Sequence, residues 1–396
     1  MPRPPRPSHR CSPTATCSCA RRRRRASWTC TGARSPASGS PADTRSSATA
    51  RTTSRRCCTR WRTSSSPPWA PVPAPTGSLP RKRSRRAPSP RGRPAVRDAR
   101  FLDAVRTDLA EAGLRASIVV RDLDSGRELD IDGDVATPSA SLAKLPIALA
   151  VLTRVADGRL DGATPIPVPA GDPSAGLPGT TRFRYPSRIA IDDLVSLALT
   201  ISDNGAADAL LALVSPDEVM ADLDRLGVHG IEVRHPFADL SDTPLERFAP
   251  EEAHLAHTLA IRGSAPARGH PIRQLDIART NTGTARAFTD LLTVIWLERG
   301  VHPEAAARLR EHLGANLVRH RLAPDIVTDD TAWSSKTGTL LNLRHEAGVA
   351  EHTDGSRFAI VALSTSEVPA SAQPAAEAAL GAAARRMHER VREAGG

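Results

Sequence analysis

Residues 98–396 are predicted to adopt an α+β fold, on three observations. Strand-like and helix-like segments do not alternate along them: a helix and a hairpin come first, a long helical stretch follows, and three strands and a terminal helix close the chain. The helical middle is long enough to form a part of its own, while the hairpin and the three later strands can share one antiparallel sheet. The 97 residues that precede them have a composition that supports no core.

Each element follows from local chemistry. Phe101, Leu102, Val105, Leu109 and Leu114 recur at helical spacing, and Gly113 ends that helix. Ala116 to Leu123 carries Ile118-Val119-Val120 and reads as a strand; Asp124-Ser125-Gly126 is a turn, and Arg127 to Ile131 is the returning strand. Thr137-Pro138-Ser139 leads into a helix from Ser141 to Ala156, closed by Gly158. Ile189 to Leu213 reads as helical with a polar break at Ser202-Asp203-Asn204, and Ser215-Pro216 opens the next helix, which ends near Leu226. Residues 227–280, rich in Gly, Pro, His and Asp, read as loop with one helix from Glu251 to Ile261. Thr284 to Arg299 and Pro303 to Leu313 are helices, Ala332 to Leu341, Glu346 to Glu351 and Phe358 to Ser364 are strands, and Pro374 to Ala394 is the terminal helix.

The net charge of +11 conceals two halves. Residues 1–97 hold 23 Arg and Lys against the single acid Asp43, while residues 98–396 carry a net charge of −11. All six cysteines lie in the first segment, so the folded part uses neither disulfides nor thiol chemistry. Residues 1–97 contain no Ile and no Phe, cannot offset their chain entropy by burial, and are expected to be a disordered Arg/Ser/Pro-rich segment rather than a domain. Three readings of it stay open: a basic tail for nucleic acid or an anionic membrane, a targeting segment, or the product of GC-rich DNA read from a wrong start or frame. Its cysteines have no zinc-site spacing, and no apolar stretch follows Arg21–Arg25 to make a secretory signal. No run of about 18 apolar residues exists to form a membrane-spanning helix.

The chemistry is read from what the folded part avoids. It contains 29 arginines but only two lysines, Lys144 and Lys336. Lys is a compact charge whose pKa falls on burial, so it can move a proton where Arg cannot. Lys144 closes Ser141-Leu142-Ala143-Lys144, which puts a hydroxyl and an amine one helical turn apart. Lys336 opens Lys336-Thr337-Gly338-Thr339 in an expected strand, where a cation and hydroxyls suit a carboxylate and Gly338 lets a ligand backbone come close. Between them, Ser202-Asp203-Asn204 offers a second hydroxyl for proton relay and an amide for a substrate amide. Each motif alone has a plain structural explanation as a cap, a turn or a surface lysine. The three in this order, using both lysines, point to nucleophilic acyl transfer.

In these motifs the chain resembles the penicillin-recognising serine hydrolases, specifically class A β-lactamases, from about Phe101 to Ala384. The stretches from Ile189 to Ile201 and from Gly348 to Ser364 resemble the family's flanking segments. The resemblance implies a β-lactamase/transpeptidase-like fold, with a five-stranded antiparallel sheet flanked by helices and an all-helical subdomain. It implies Ser141 as the acylated nucleophile, Lys144 as its proton acceptor, Ser202 as the relay to the leaving nitrogen and Asn204 as the holder of the acylamido chain. Lys336 and Thr337 would meet the substrate carboxylate, and the backbone N–H groups of Ser141 and Thr339 would form the oxyanion hole. Arg344, on the neighbouring strand, is a second candidate for the carboxylate.

One element of the pattern is missing. The family deacylates with a water activated by the Glu of an E-x-x-L-N stretch, and no such stretch lies between Asn204 and Thr284. The nearest form is Glu252-Ala-His-Leu-Ala256, with Glu246 and Glu251 as further carboxylates; the Ser202–Lys336 separation is also long for the family, placing an insertion in 227–280. The expected activity is β-lactam hydrolysis through acyl-Ser141, with a slowly deacylating penicillin-binding, D-alanyl peptidase or esterase-type enzyme as its alternative. A reading from a different class is an inert domain carrying a basic binding arm. The expected partner is a small molecule, a β-lactam or a D-alanyl peptide-like compound, acted on by a monomer with no cofactor, no metal and no nucleic acid. His254 and His257 share a helix face, but no metal-binding motif surrounds them. The family resemblance implies residence outside the cytoplasm.

Overall fold

The computed structural model describes residues 96–171, 177–241, 243–263 and 269–394. The Arg-rich segment, apart from its last two residues, lies outside the described residues. Helix α1 (Val96–Glu111) leads into the hairpin β1 (Leu114–Asp122) and β2 (Glu128–Ile131). Asp122 closes its turn by accepting the N–H of Asp124 at 2.9 Å, and Gly126 takes φ +74°, a conformation that favours glycine. The short strand β3 (Thr137–Pro138) and a 3-10 turn (Ala140–Ala143) precede α2 (Lys144–Ala156). Ten of the thirteen α2 residues are buried, which is why it reads as apolar on every side.

Strands β4 (Pro165–Val168) and β5 (Ser187–Ala190) form a two-stranded ribbon. The pairing of Ile189 with Ile166 corrects the expectation that the helix begins at Ile189; α3 (Ile191–Thr200) starts two residues later. After the polar break come α4 (Asn204–Leu211) and α5 (Pro216–Arg225), the latter opened by a capping box between Ser215 and Glu218 with Pro216 in its first turn. The expected loop contains β6 (Ile231–Glu232) and α6 (Pro244–Arg247) besides its expected helix α7 (Ala253–Arg262), and β7 (Thr282–Gly283) follows it. Strands β3, β7 and β6 make a small sheet whose two-residue members are too short to show alternation in sequence. Helices α8 (Ala285–Trp296), α9 (Pro303–Gly314) and α10 (Ala323–Ile326), strands β8 (Thr331–Leu340), β9 (Leu343–His352) and β10 (Arg357–Ser366), and α11 (Pro374–Glu393) complete the chain.

The main sheet is five-stranded and antiparallel, in the order β2-β1-β10-β9-β8, so the first and last parts of the chain do share it. Residues alternate between two cores. Val119, Val349 and Val361 join the helical middle in one, while Ile118, Val120, Ile360 and Ala362 meet α1 and α11 in the other. Because both faces are covered, the strands appear in sequence as continuous apolar runs. The edge strand β8 lies against the 3-10 turn, which sets Lys336–Thr339 beside Ser141. No helix among the described residues is long and apolar enough to cross a membrane.

Candidate active site

Ser141 lies in the 3-10 turn, half-buried, rather than in the first turn of an α-helix as expected. The preceding Ala140 takes φ +48°, a left-handed conformation costly for a residue with a Cβ, and this bends the chain between β3 and α2. The turn is held from behind. His345 on β9 is fully buried, its Nε2 lies 2.9 Å from the Pro138 carbonyl, and its Nδ1 accepts the Ser364 N–H at 3.0 Å. These two bonds require the neutral tautomer with the proton on Nε2, and burial pushes its pKa down to about 4. Sequence reading missed His345; one buried histidine in a strand carries no motif.

Lys144 is one turn on, 1% exposed. Its Nζ lies 2.6 Å from the Ser202 carbonyl, 2.6 Å from Asn204 Oδ1, 3.2 Å from Ser141 Oγ and 3.3 Å from Ser202 Oγ. Burial pushes its pKa well below that of an ordinary lysine, the Lys336 charge pushes the same way, and Asp203 and Asp208 oppose them. A neutral amine at 3.2 Å can accept the Ser141 proton.

The polar break supplies the opposite wall. Ser202 takes φ +62°, which turns its carbonyl onto Lys144. Asp203 faces away from the hydroxyls: fully buried, it caps α4 by accepting the Ala206 N–H at 3.1 Å and also accepts the Thr180 N–H and hydroxyl at 2.6 and 2.8 Å. The middle residue of the motif is therefore its anchor, and Ser202 and Asn204 are the two that reach Lys144.

Lys336 is fully buried and donates to Ser202 Oγ at 2.9 Å and to the Thr337 carbonyl at 2.8 Å. Burial, then the Arg321 charge, bring its pKa down to about 7, against the pull of Glu346. The Ser202 hydroxyl thus lies between both lysines of the folded part, the arrangement a proton relay needs. Thr337 is buried and Thr339 exposed beside it. Gly338 also meets its own chain. A Cβ there would stand 2.9 Å from the Ser139 carbonyl, so its bareness lets β8 meet the 3-10 turn that holds Ser141.

Three further placements differ from expectation. Arg344 is 2% exposed and turned away from the carboxylate position; it donates to the carbonyls of Leu341, Leu343, Ala370 and Ser371 and pairs with Glu377. The cation beside the site is instead Arg321, whose guanidinium donates to Thr339 Oγ1 at 2.7 Å and to the His345 carbonyl at 3.0 Å. Among 29 arginines it had no distinguishing mark in sequence. Glu252 is exposed at the N-terminal end of α7, as is Glu251, and neither contacts the lysines or Ser141; the Glu246 side chain lies outside the described residues. Among the described residues, no carboxylate hydrogen-bonds to Ser141 or Lys144. The group seated over Lys144 from the 227–280 region is the Phe237 ring, 4.7 Å from Nζ to its centroid and fully buried. Asp208 holds that segment by accepting the Phe237 and Ala238 N–H groups. No cluster of three or more metal-ligating side chains occurs among the described residues.

Comparison with known proteins agrees with this architecture. The chain is 50% identical over 305 residues to the Beta-lactamase regulatory protein BlaB of Streptomyces cacaoi, covering 74% of this chain and 98% of that one. Its fold is that of a β-lactamase from Chitinophaga pinensis (TM-score 0.59, 19% identity, 74% of this chain and 99% of that one). It is equally that of PBP-A, solved as a variant in an acyl-enzyme complex with penicillin G (TM-score 0.58, 20% identity, 74% and 97%). The expected β-lactamase/transpeptidase-like fold is therefore observed. A model of the β-lactamase enzyme family matches residues 100–391, and the chain belongs to that family.

Proposed function

We propose that this protein is a penicillin-recognising serine acyl-transfer domain that is acylated at Ser141 and releases the acyl group slowly, acting as a receptor for β-lactams or D-alanyl peptide-like compounds. The observation that carries this reading is Lys144: buried, lowered in pKa, within 3.3 Å of two serine hydroxyls, and covered by an aromatic ring rather than a carboxylate.

The geometry supports acylation. Lys336 and Thr337 hold the substrate carboxylate, with Arg321 behind Thr339 adding positive charge. Ser141 Oγ attacks the carbonyl carbon as its proton passes to the neutral Lys144 Nζ, 3.2 Å away. The Ser141 N–H, in the first turn of a 3-10 helix, and the Thr339 N–H would receive the developing oxyanion; one such donor is worth about 3 kcal/mol. The C–N bond then breaks, the leaving nitrogen takes the Ser202 proton, and Lys144 returns its own proton to Ser202 across 3.3 Å. Deacylation needs a base that positions water on the ester. The Phe237 ring over Lys144 offers none, and no carboxylate among the described residues hydrogen-bonds to Ser141 or Lys144.

A regulatory role is supported by the name of the 50% identical relative, and the long-lived acyl-enzyme is what such a role needs. The second reading is β-lactam hydrolysis, favoured by the family's designation. Intact-mass spectrometry of the full chain with penicillin G over time, with Ser141→Ala as control, separates the possibilities. A persistent adduct absent from the control is expected. An adduct that clears while penicilloate accumulates would establish the hydrolase instead, and no adduct would leave an inert domain.

A further inference from the structure

A second cleft of about 430 Å³ lies behind the nucleophile turn and shares no residue with Ser141, Lys144, Ser202, Asn204 or Lys336–Thr339. Its size suits a small organic molecule. It opens where the inner face of the main sheet runs out of apolar core. Ser117 lies opposite Leu363, and Arg115 opposite Thr365, so these four side chains share the face that Val119 gives to the helical core. Segment 135–138 forms one wall, and Ile261, His270 and Leu275 form the facing one.

Some polar groups of the cleft are unmatched. Ser117 is 6% exposed and its hydroxyl has no partner among the described residues; the half-buried Thr365 hydroxyl has none either. Asn342, 2% exposed, donates its amide N–H to the Ser366 carbonyl, and its amide oxygen is buried without a partner. The Ser117 and Thr365 hydroxyls reach the cleft without a protein partner and are free to bind an occupant, whereas the Asn342 amide oxygen is closed off from it. By contrast His270 is satisfied, bonded to the Ala260 carbonyl and the Ile272 N–H. The rim charges are matched too: Arg115 faces Glu367 at 3.6 Å and Asp132 faces Arg106 at 3.4 Å. Two unmatched hydroxyls, apolar walls and neutralised rim charges select an uncharged ligand.

We infer that this cleft is a second small-molecule site, taking a neutral compound with an apolar body between Leu343, Leu363 and Pro138 and a hydrogen-bonding head, such as a carboxamide, on Ser117 and Thr365. Pro138 is the residue whose carbonyl His345 holds, so an occupant would touch the strand that leads into the Ser141 turn. The inference stands on the cleft alone and is independent of acylation.

Benzamide is the probe, titrated into the full chain and followed by saturation-transfer NMR. Wild type and Ser141→Ala should bind it equally. Ala136→Trp, an exposed position on the wall, fills the cleft without touching the core and should abolish binding. Ser117→Ala removes the hydroxyl without adding bulk and should weaken binding about fivefold. Unfolding midpoints of the variants confirm that each is folded. No saturable binding to wild type, binding that survives Ala136→Trp, or binding lost in Ser141→Ala would overturn the inference.

Discussion

Two buried lysines share one serine hydroxyl, and both titrate far from their ordinary range for the same main reason, burial. The proposed function gives them opposite duties: Lys144 must be neutral to accept a proton, Lys336 charged to hold a carboxylate. Replacing Lys144 by Met is expected to slow penicillin labelling by about 10²-fold or more, read as adduct formation by mass, because general-base catalysis is typically worth that much. Lys336, at about 7 without ligand, loses its charge as pH rises, so the affinity for a carboxylate-bearing β-lactam should fall between pH 6 and 9. Competition for labelling across that range checks it, and Lys336→Met should be weak and flat throughout. The same scale shows what the sequence disclosed. Ser141, Lys144, Ser202, Asn204 and Lys336 stand in motifs because their roles depend on fixed local spacing. Arg321, His345 and Phe237 act across 18 to 207 residues of chain, and no local pattern marks them.

At the level of elements, the site is the meeting of one turn, one helix start and one edge strand. The approach of β8 to the 3-10 turn depends on Gly338. Gly338→Ala should therefore reduce Ser141 labelling strongly while shifting the unfolding midpoint little, since the added Cβ presses on the Ser139 carbonyl and displaces the strand that faces the nucleophile. A loss of stability with labelling intact would place its role elsewhere. The opposite split is expected at α5, remote from the chemistry. Ser215→Ala removes the capping box and should cost about 1 kcal/mol in denaturant unfolding with labelling unchanged. The long helices and the strands of the main sheet were legible because periodicity and caps are local. The small sheet of β3, β6 and β7 was not, because two-residue strands exist only through their partners.

Over the whole molecule, the two faces of the main sheet are buried in separate cores, and the polar site lies at its edge beside the helical part. Such a site sets a load on stability. Lys336 binds its proton less tightly when folded than when unfolded, so the unfolded state holds more protons between about pH 7 and the ordinary lysine value of 10.5. Stability contributed through this group must then rise with pH across that window, by up to about 1.4 kcal/mol per pH unit, and be at its lowest below pH 7. Denaturant unfolding of wild type against Lys336→Met at pH 6.5, 8 and 9.5 isolates it: stability should rise more steeply with pH in wild type than in the variant.

The sequence by itself determined the α+β order of elements, the absence of thiol chemistry from the folded part and the three motifs that place it among penicillin-recognising proteins, since each is encoded by residue type at short spacing. Only the tertiary structure decided which arginine stands beside Thr339, that Gly338 makes room for its own chain, that Glu252 lies on the surface, and that an aromatic ring covers Lys144. These depend on burial and on contacts between distant segments, and burial is what lowers a lysine's pKa and sets what it can do.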